Sequence, residues 1–134
     1  MKDRCTAIVL AAGQGRRMKS NVKKQFLSIA GKPIVYYALQ CFEKTSFITD
    51  VILVTSEDCV DYCRKKIVEK YGFRKVEKIV VGGKERYDSV YAGLLACGKT
   101  DYVYIHDGIR PFITRDILKR ALDGARETGA CVVG

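Results

Sequence analysis

The chain has 134 residues, 48% of them apolar, with two prolines, which is length and apolar content for one compact domain or part of a larger one and argues against disorder. No run of about 18 apolar residues is present, which excludes a membrane-spanning helix, and the N-terminal stretch Met1–Thr6 lacks the pattern of a secretory signal. The formal net charge is +9, and a cytoplasmic protein is the expectation.

In chain order, Thr6–Leu10 reads as a first buried strand. Pro33–Glu43 follows as an amphipathic helix with Ile34, Tyr37, Ala38, Cys41 and Phe42 on one face, Pro33 suiting its first turn. Asp50–Thr55 and Val76–Val81 read as strands flanking a helix over Glu57–Lys70. Ser89–Cys97 is a further helix, with Val90, Leu94 and Cys97 in register, followed by a strand at Asp101–Ile105. Thr114 is placed to cap a helix that runs to about Thr128 and is closed by Gly129. A last strand is expected at Ala130–Val133, and because the chain stops there the domain reads as incomplete at its C-terminus. Strands alternating with helices predict an α/β fold with a mostly parallel sheet and right-handed crossovers.

Six cysteines, none in a C-x-x-C pair, together with a single histidine give no zinc pattern, so the cysteines read as reduced core residues. The charge is uneven. Between Asp3 and Glu43 there is no acidic residue but seven cations: Arg4, Arg16, Arg17, Lys19, Lys23, Lys24 and Lys32. Five of these fall in the segment Ala11–Gln25, which directly follows the first strand and contains Gly13 and Gly15.

Glycines there let backbone N–H groups approach an anion, and the Arg and Lys side chains neutralise phosphate charge. The segment matches neither common phosphate fingerprint. Met18 stands where G-x-G-x-x-G needs its third glycine, and Gly31-Lys32-Pro33 lacks the Ser or Thr of a P-loop. An ordinary turn with a solvated basic face is the alternative. Parallel α/β sheets bind ligands beyond the C-terminal strand ends. Three such turns qualify: Gly13–Lys24, Gly82–Arg86 and His106–Arg110, and the topology allows them to border one crevice.

The motifs Leu10-Ala-Ala-Gly-Gln-Gly-Arg-Arg-Met18, Lys24-Gln-Phe-Leu27, Gly31-Lys-Pro33, Gly82-Gly83-x-x-Arg86-x-x-Ser89-Val90 and His106-Asp-Gly-Ile-Arg-Pro111 occur in one order across the chain. Together they resemble the 2-C-methyl-D-erythritol 4-phosphate cytidylyltransferase family. The resemblance implies a Rossmann-like nucleotidyltransferase fold, of which residues 1–134 are the nucleotide-binding part. It also implies transfer of CMP from CTP to 2-C-methyl-D-erythritol 4-phosphate, with release of pyrophosphate, in non-mevalonate isoprenoid biosynthesis. Arg17 and Lys24 are then the residues that stabilise the transition state, and Ala11, Ala12, Gly13 and Gly15 the nucleotide cradle. Gly82, Gly83 and Ser89 would recognise the base. Asp107 would contact substrate and Mg²⁺, and Arg110 would contact substrate. Where the family commonly has proline before its catalytic lysine, this chain has Lys23.

Each residue has a plainer reading beside this one. Asp107 could cap a turn, Ser89 a helix, and Arg86 could be a surface ion-pair partner. His106 reads as structural, since no G-x-S-x-G elbow accompanies it. Two other functions compete. The sister family of ribitol-5-phosphate cytidylyltransferases is disfavoured by Ala11-Ala12-Gly13 and His106-Asp-Gly-Ile, and a non-catalytic CTP-binding piece is the other alternative. Nucleic acid is not an expected partner, because the surplus charge is confined to one segment. The family's complete chains imply a homodimer, and these residues alone are expected to bind CTP weakly and to turn over poorly.

Overall fold

The computed structural model describes residues 3–11 and 28–130. Four parallel strands form the main sheet: β1 (Cys5–Leu10), β4 (Asp50–Thr55), β5 (Val76–Val81) and β6 (Tyr102–Asp107), in the order β5-β4-β1-β6. A small antiparallel pair, β2 (Ser28–Ile29) and β3 (Lys32–Pro33), precedes the first helix, α1 (Ile34–Lys44). The chain turns between β2 and β3 through Ala30 and Gly31, both at positive φ. The sequence pattern gave no sign of this hairpin, because its strands are only two residues long.

The helical stretch after β4 is composite: one 3₁₀ turn at Glu57–Cys59, α2 (Val60–Cys63) and a wider-wound segment at Arg64–Glu69. The remaining helices are α3 (Arg86–Ala96) and α4 (Arg115–Thr128). Thr114 Oγ1 accepts from the Ile117 N–H at the start of α4, and Gly129, at φ 87°, closes it. Both caps stand where the sequence put them.

Every residue of β1 and β4 is buried, as strands covered on both faces must be. One face packs Val35, Ala38, Leu39 and Phe42 of α1, Cys63 and Ile67 of the composite helix, and Leu118 and Leu122 of α4 against Ala7, Val9, Val51 and Leu53. The opposite face sets α3 against Ile8, Leu10, Ile52 and Val54. This division follows from handedness. The chain winds from β1 through β4 to β5 with its helices on one face. It then crosses back to β6 on the far side of β1, and a right-handed crossover in that direction lays α3 on the other face.

Three expectations are corrected. The buried face of α1 is Val35, Ala38, Leu39 and Phe42, not a face led by Ile34, Tyr37 and Cys41. The segment is apolar nearly all round, so its period admits both settings, and contact with the sheet selects one. α3 begins at Arg86, three residues earlier than expected, and buries Ser89 and Gly93 while Leu94 stays 44% exposed. Small residues face the sheet here because the helix lies very close to it: a Cβ at position 93 would sit 2.6 Å from Ile8 Cγ2. Finally, β6 extends two residues past Ile105, since the ladder with β1 continues to the pair Leu10–Asp107. Most of the strand expected at Ala130–Val133 lies outside the described residues.

At the N-terminal edge of the sheet, Asp50 accepts hydrogen bonds from Arg4 Nη2 and Thr6 Oγ1, each at 2.7 Å. This pairing satisfies a carboxylate whose side chain is only 6% exposed. Among the described residues, Cys5, Cys41, Cys59 and Cys97 are free thiols. No described helix is long and apolar enough to cross a membrane.

Candidate active site

Strand order reverses direction between β1 and β6, and ligands of open α/β sheets lie beyond the C-terminal ends at such a point. Backbone hydrogen bonds tie the turns there to neighbouring strands. Ala11 N–H donates to Val54 O at 2.7 Å, Gly82 N–H to Thr55 O at 2.8 Å, and Gly108 N–H to Leu10 O at 2.8 Å.

The turn after β5 is held by the helix it leads into. Glu85 caps α3: its carboxylate accepts the Asp88 N–H, while Asp88 Oδ2 accepts the Glu85 N–H at 3.1 Å. This is a reciprocal capping box built from two acids, which is why a search for Ser or Thr caps missed it. Asp88 folds back so far that a Cβ on residue 83 would lie 2.3 Å from Asp88 Cβ, so Gly83 is required by close approach. One turn on, Ser89 is 2% exposed and its Oγ has no hydrogen-bond partner among the described residues. Ser89 is thus not the helix cap. A buried hydroxyl left unpaired costs on the order of 1–3 kcal/mol, a cost that a bound polar group would remove.

The alternation of β6 gives its last two residues opposite roles. His106 turns toward α1, edge-on to Phe42 at 5.9 Å between ring centroids, and its Nε2–H donates to Arg110 O at 3.0 Å. Burial lowers its pKa from the ordinary value, against the raising effect of that hydrogen bond. It clamps the following loop, the structural role read from the sequence. Asp107, in line with Leu10 and Ile8, emerges on the α3 face, and it is the last residue of the strand rather than the residue after it. Its carboxylate meets two guanidinium groups: Arg86 Nε at 3.3 Å from Oδ1 and Arg110 Nε at 3.5 Å from Oδ2.

The structure therefore joins two of the three turns singled out in the sequence. Gly82, Gly83 and Ser89 stand at one end of α3, and Arg86 from that end reaches Asp107 and, through it, Arg110. Ala11 ends β1 beside Val54. Ala12, Gly13, Gly15, Arg17 and Lys24 lie outside the described residues. The pairing of Arg86 with Asp107 was not expected from the sequence. The motif around Arg86 was visible, but its partner is 21 positions away.

Among the described residues no group of three or more His, Cys, Asp or Glu side chains could enclose a metal ion. Asp107, partly exposed at the C-terminal end of β6, offers the single carboxylate that Mg²⁺ usually takes from a protein beside nucleotides, the other ligands coming from phosphate and water.

The profile of the 2-C-methyl-D-erythritol 4-phosphate cytidylyltransferase family matches residues 5–134. The chain belongs to that family. The 2-C-methyl-D-erythritol 4-phosphate cytidylyltransferase of Lachnoclostridium phytofermentans is 47% identical over 132 residues, covering 98% of this chain and 56% of that protein. The protein of the same name from Geotalea uraniireducens is also 47% identical, over 96% of this chain and 57% of its own length. Among solved structures, the 4-diphosphocytidyl-2C-methyl-D-erythritol synthase of Anaerococcus prevotii superposes with a TM-score of 0.75 at 26% identity, covering 93% of this chain and 52% of the other. The cytidylyltransferase family accounts for the α/β fold with its mostly parallel sheet. The chain spans about half the length of the relatives it matches.

Proposed function

We propose that this chain carries the nucleotide-binding part of a cytidylyltransferase that transfers CMP from CTP to 2-C-methyl-D-erythritol 4-phosphate, releasing pyrophosphate, in the cytoplasm. The observation that carries this reading is a family match over residues 5–134 joined to the buried hydroxyl of Ser89, which has no partner among the described residues. Ser89, Gly82 and Gly83 take the cytosine ring, whose amino and carbonyl edge suits backbone groups and one hydroxyl. Ala11, Ala12, Gly13 and Gly15 cradle the triphosphate.

In the reaction, an oxygen of the acceptor's phosphate attacks the α-phosphorus of CTP in line. A new P–O bond forms, the bond between α-phosphorus and the bridging oxygen breaks, and pyrophosphate leaves with that electron pair. No protein nucleophile is needed, so the protein's share is positioning and charge neutralisation. Arg17 and Lys24 supply fixed positive charge where the transition state gains negative charge. Asp107 and Arg110 orient the acceptor, and Asp107 is the residue that would hold Mg²⁺. When bound, the ion neutralises phosphate oxygens.

Pyrophosphate release with CTP tests this reading, with 2-C-methyl-D-erythritol 4-phosphate and ribitol 5-phosphate as alternative acceptors. Calorimetric titration of the 134-residue chain with CTP and Mg²⁺ tests the binding half alone. Release with the erythritol phosphate and not the ribitol phosphate is expected from a chain of the relatives' length. Failure of CTP to bind overturns the assignment.

A further inference from the structure

The Arg86–Asp107 ion pair joins the start of α3 to the C-terminal end of β6, where the proposed nucleotide site lies, and its composition is lopsided. One carboxylate, 31% exposed, faces two guanidinium groups, with Arg86 61% and Arg110 76% exposed. Arg86 can therefore leave while Arg110 still neutralises Asp107. Exposed ion pairs of this kind are worth little, so its departure costs little. The base of Arg86 is fixed: it is the first residue of α3, directly after the capping box and three residues before the buried Ser89. The carboxylates of Glu85 and Asp88 already accept from two amides of the cap, which leaves them committed to the helix start rather than to the Arg86 side chain.

We propose that Arg86 is a nucleotide-binding residue that is handed over. It pairs with Asp107 as the structure shows and moves to a phosphate oxygen of the nucleotide when the base seats against Gly82, Gly83 and Ser89. A phosphate group carries more charge than a carboxylate and accepts the guanidinium fork bidentately, so the exchange runs toward the ligand. Asp107 is then released, with Arg110 still beside it, for the acceptor side of the crevice. This inference rests on the cytidine-nucleotide reading given above.

A double-mutant cycle on CTP affinity tests it, using the 134-residue chain, Arg86→Gln, Asp107→Asn and the double variant at fixed Mg²⁺. Arg86→Gln is expected to weaken CTP about tenfold, and the loss persists or grows in the Asp107→Asn background, where Arg86 has no carboxylate to leave. Arg86→Lys, which keeps the charge without the fork, recovers part of it. Cytidine, followed by NMR at millimolar concentration, has no phosphate and loses nothing. If the loss vanishes once Asp107 is replaced, or cytidine loses as much as CTP, Arg86 merely holds its neighbours and the hand-over is wrong. Equal CTP affinity in wild type and Arg86→Gln likewise overturns it while leaving the proposed function standing. A wild-type chain that ignores CTP overturns both.

Discussion

The N–H of Gly108 donates to the carbonyl of Leu10, sewing the turn that carries Asp107 and Arg110 to the end of β1. A Cβ at position 108 would lie 3.0 Å from Leu10 O and 3.0 Å from Val35 Cγ2, so the turn and the first helix meet with no room for a side chain. Gly108→Val is expected to destabilise the fold by about 1–3 kcal/mol through overpacking. Urea unfolding checks the value; an unchanged midpoint would show that the turn does not depend on this contact.

Ser89→Ala separates binding from folding. Its hydroxyl is buried without a partner among the described residues, so its removal takes away a desolvated polar group and no hydrogen bond among them. Stability is expected to hold or rise slightly, while CTP affinity falls roughly tenfold with the lost contact to the base. A large drop in melting temperature would contradict the unpaired hydroxyl, and unchanged CTP affinity would remove Ser89 from the base site.

Arg17→Ala and Lys24→Ala probe the transition state. On the proposed reading each removes a cation from where charge develops, and losses of about a hundred- to a thousandfold in kcat are expected in a chain of the relatives' length. Pyrophosphate release is the readout. Losses confined to KM would make these residues binders of the ground state only.

The pH dependence follows from His106. Burial lowers its pKa from the ordinary 6.5, so the folded state takes up a proton less readily than the unfolded chain. The sign is therefore fixed: stability is complete above about pH 6.5 and declines as the pH drops toward the lowered folded-state value. His106→Gln should show a shallower loss between pH 7 and pH 5 in urea unfolding. Parallel curves for the two proteins would exclude His106 as the source.

Asp50 is expected to matter for folding and not for binding. It accepts bonds from Arg4 and Thr6 at the sheet edge opposite the crevice. Asp50→Ala removes the acceptor of one guanidinium nitrogen of Arg4 and one of the two partners of the Thr6 hydroxyl, which keeps Thr100 Oγ1 at 2.9 Å, a cost of about 1–3 kcal/mol. Chemical denaturation measures that cost, and calorimetry should find CTP affinity in the folded fraction unchanged.

Local energies made much of this protein legible from its residues. β4 and β5 have the bounds that apolar runs predict, and α4 begins and ends at Thr114 and Gly129, because propensity and capping act within a few positions. The glycine and arginine motifs, being contiguous, likewise pointed to the family. The sequence did not determine which side of α1 faces inward, since a nearly all-apolar helix has no unique stripe until a sheet lies against it. Nor did it determine that Arg86 would meet Asp107, or that adjacent residues of β6 would part, His106 to the core and Asp107 to the crevice. Those outcomes depend on strand order and register, which bring distant positions within a few ångströms, and no local pattern encodes that distance.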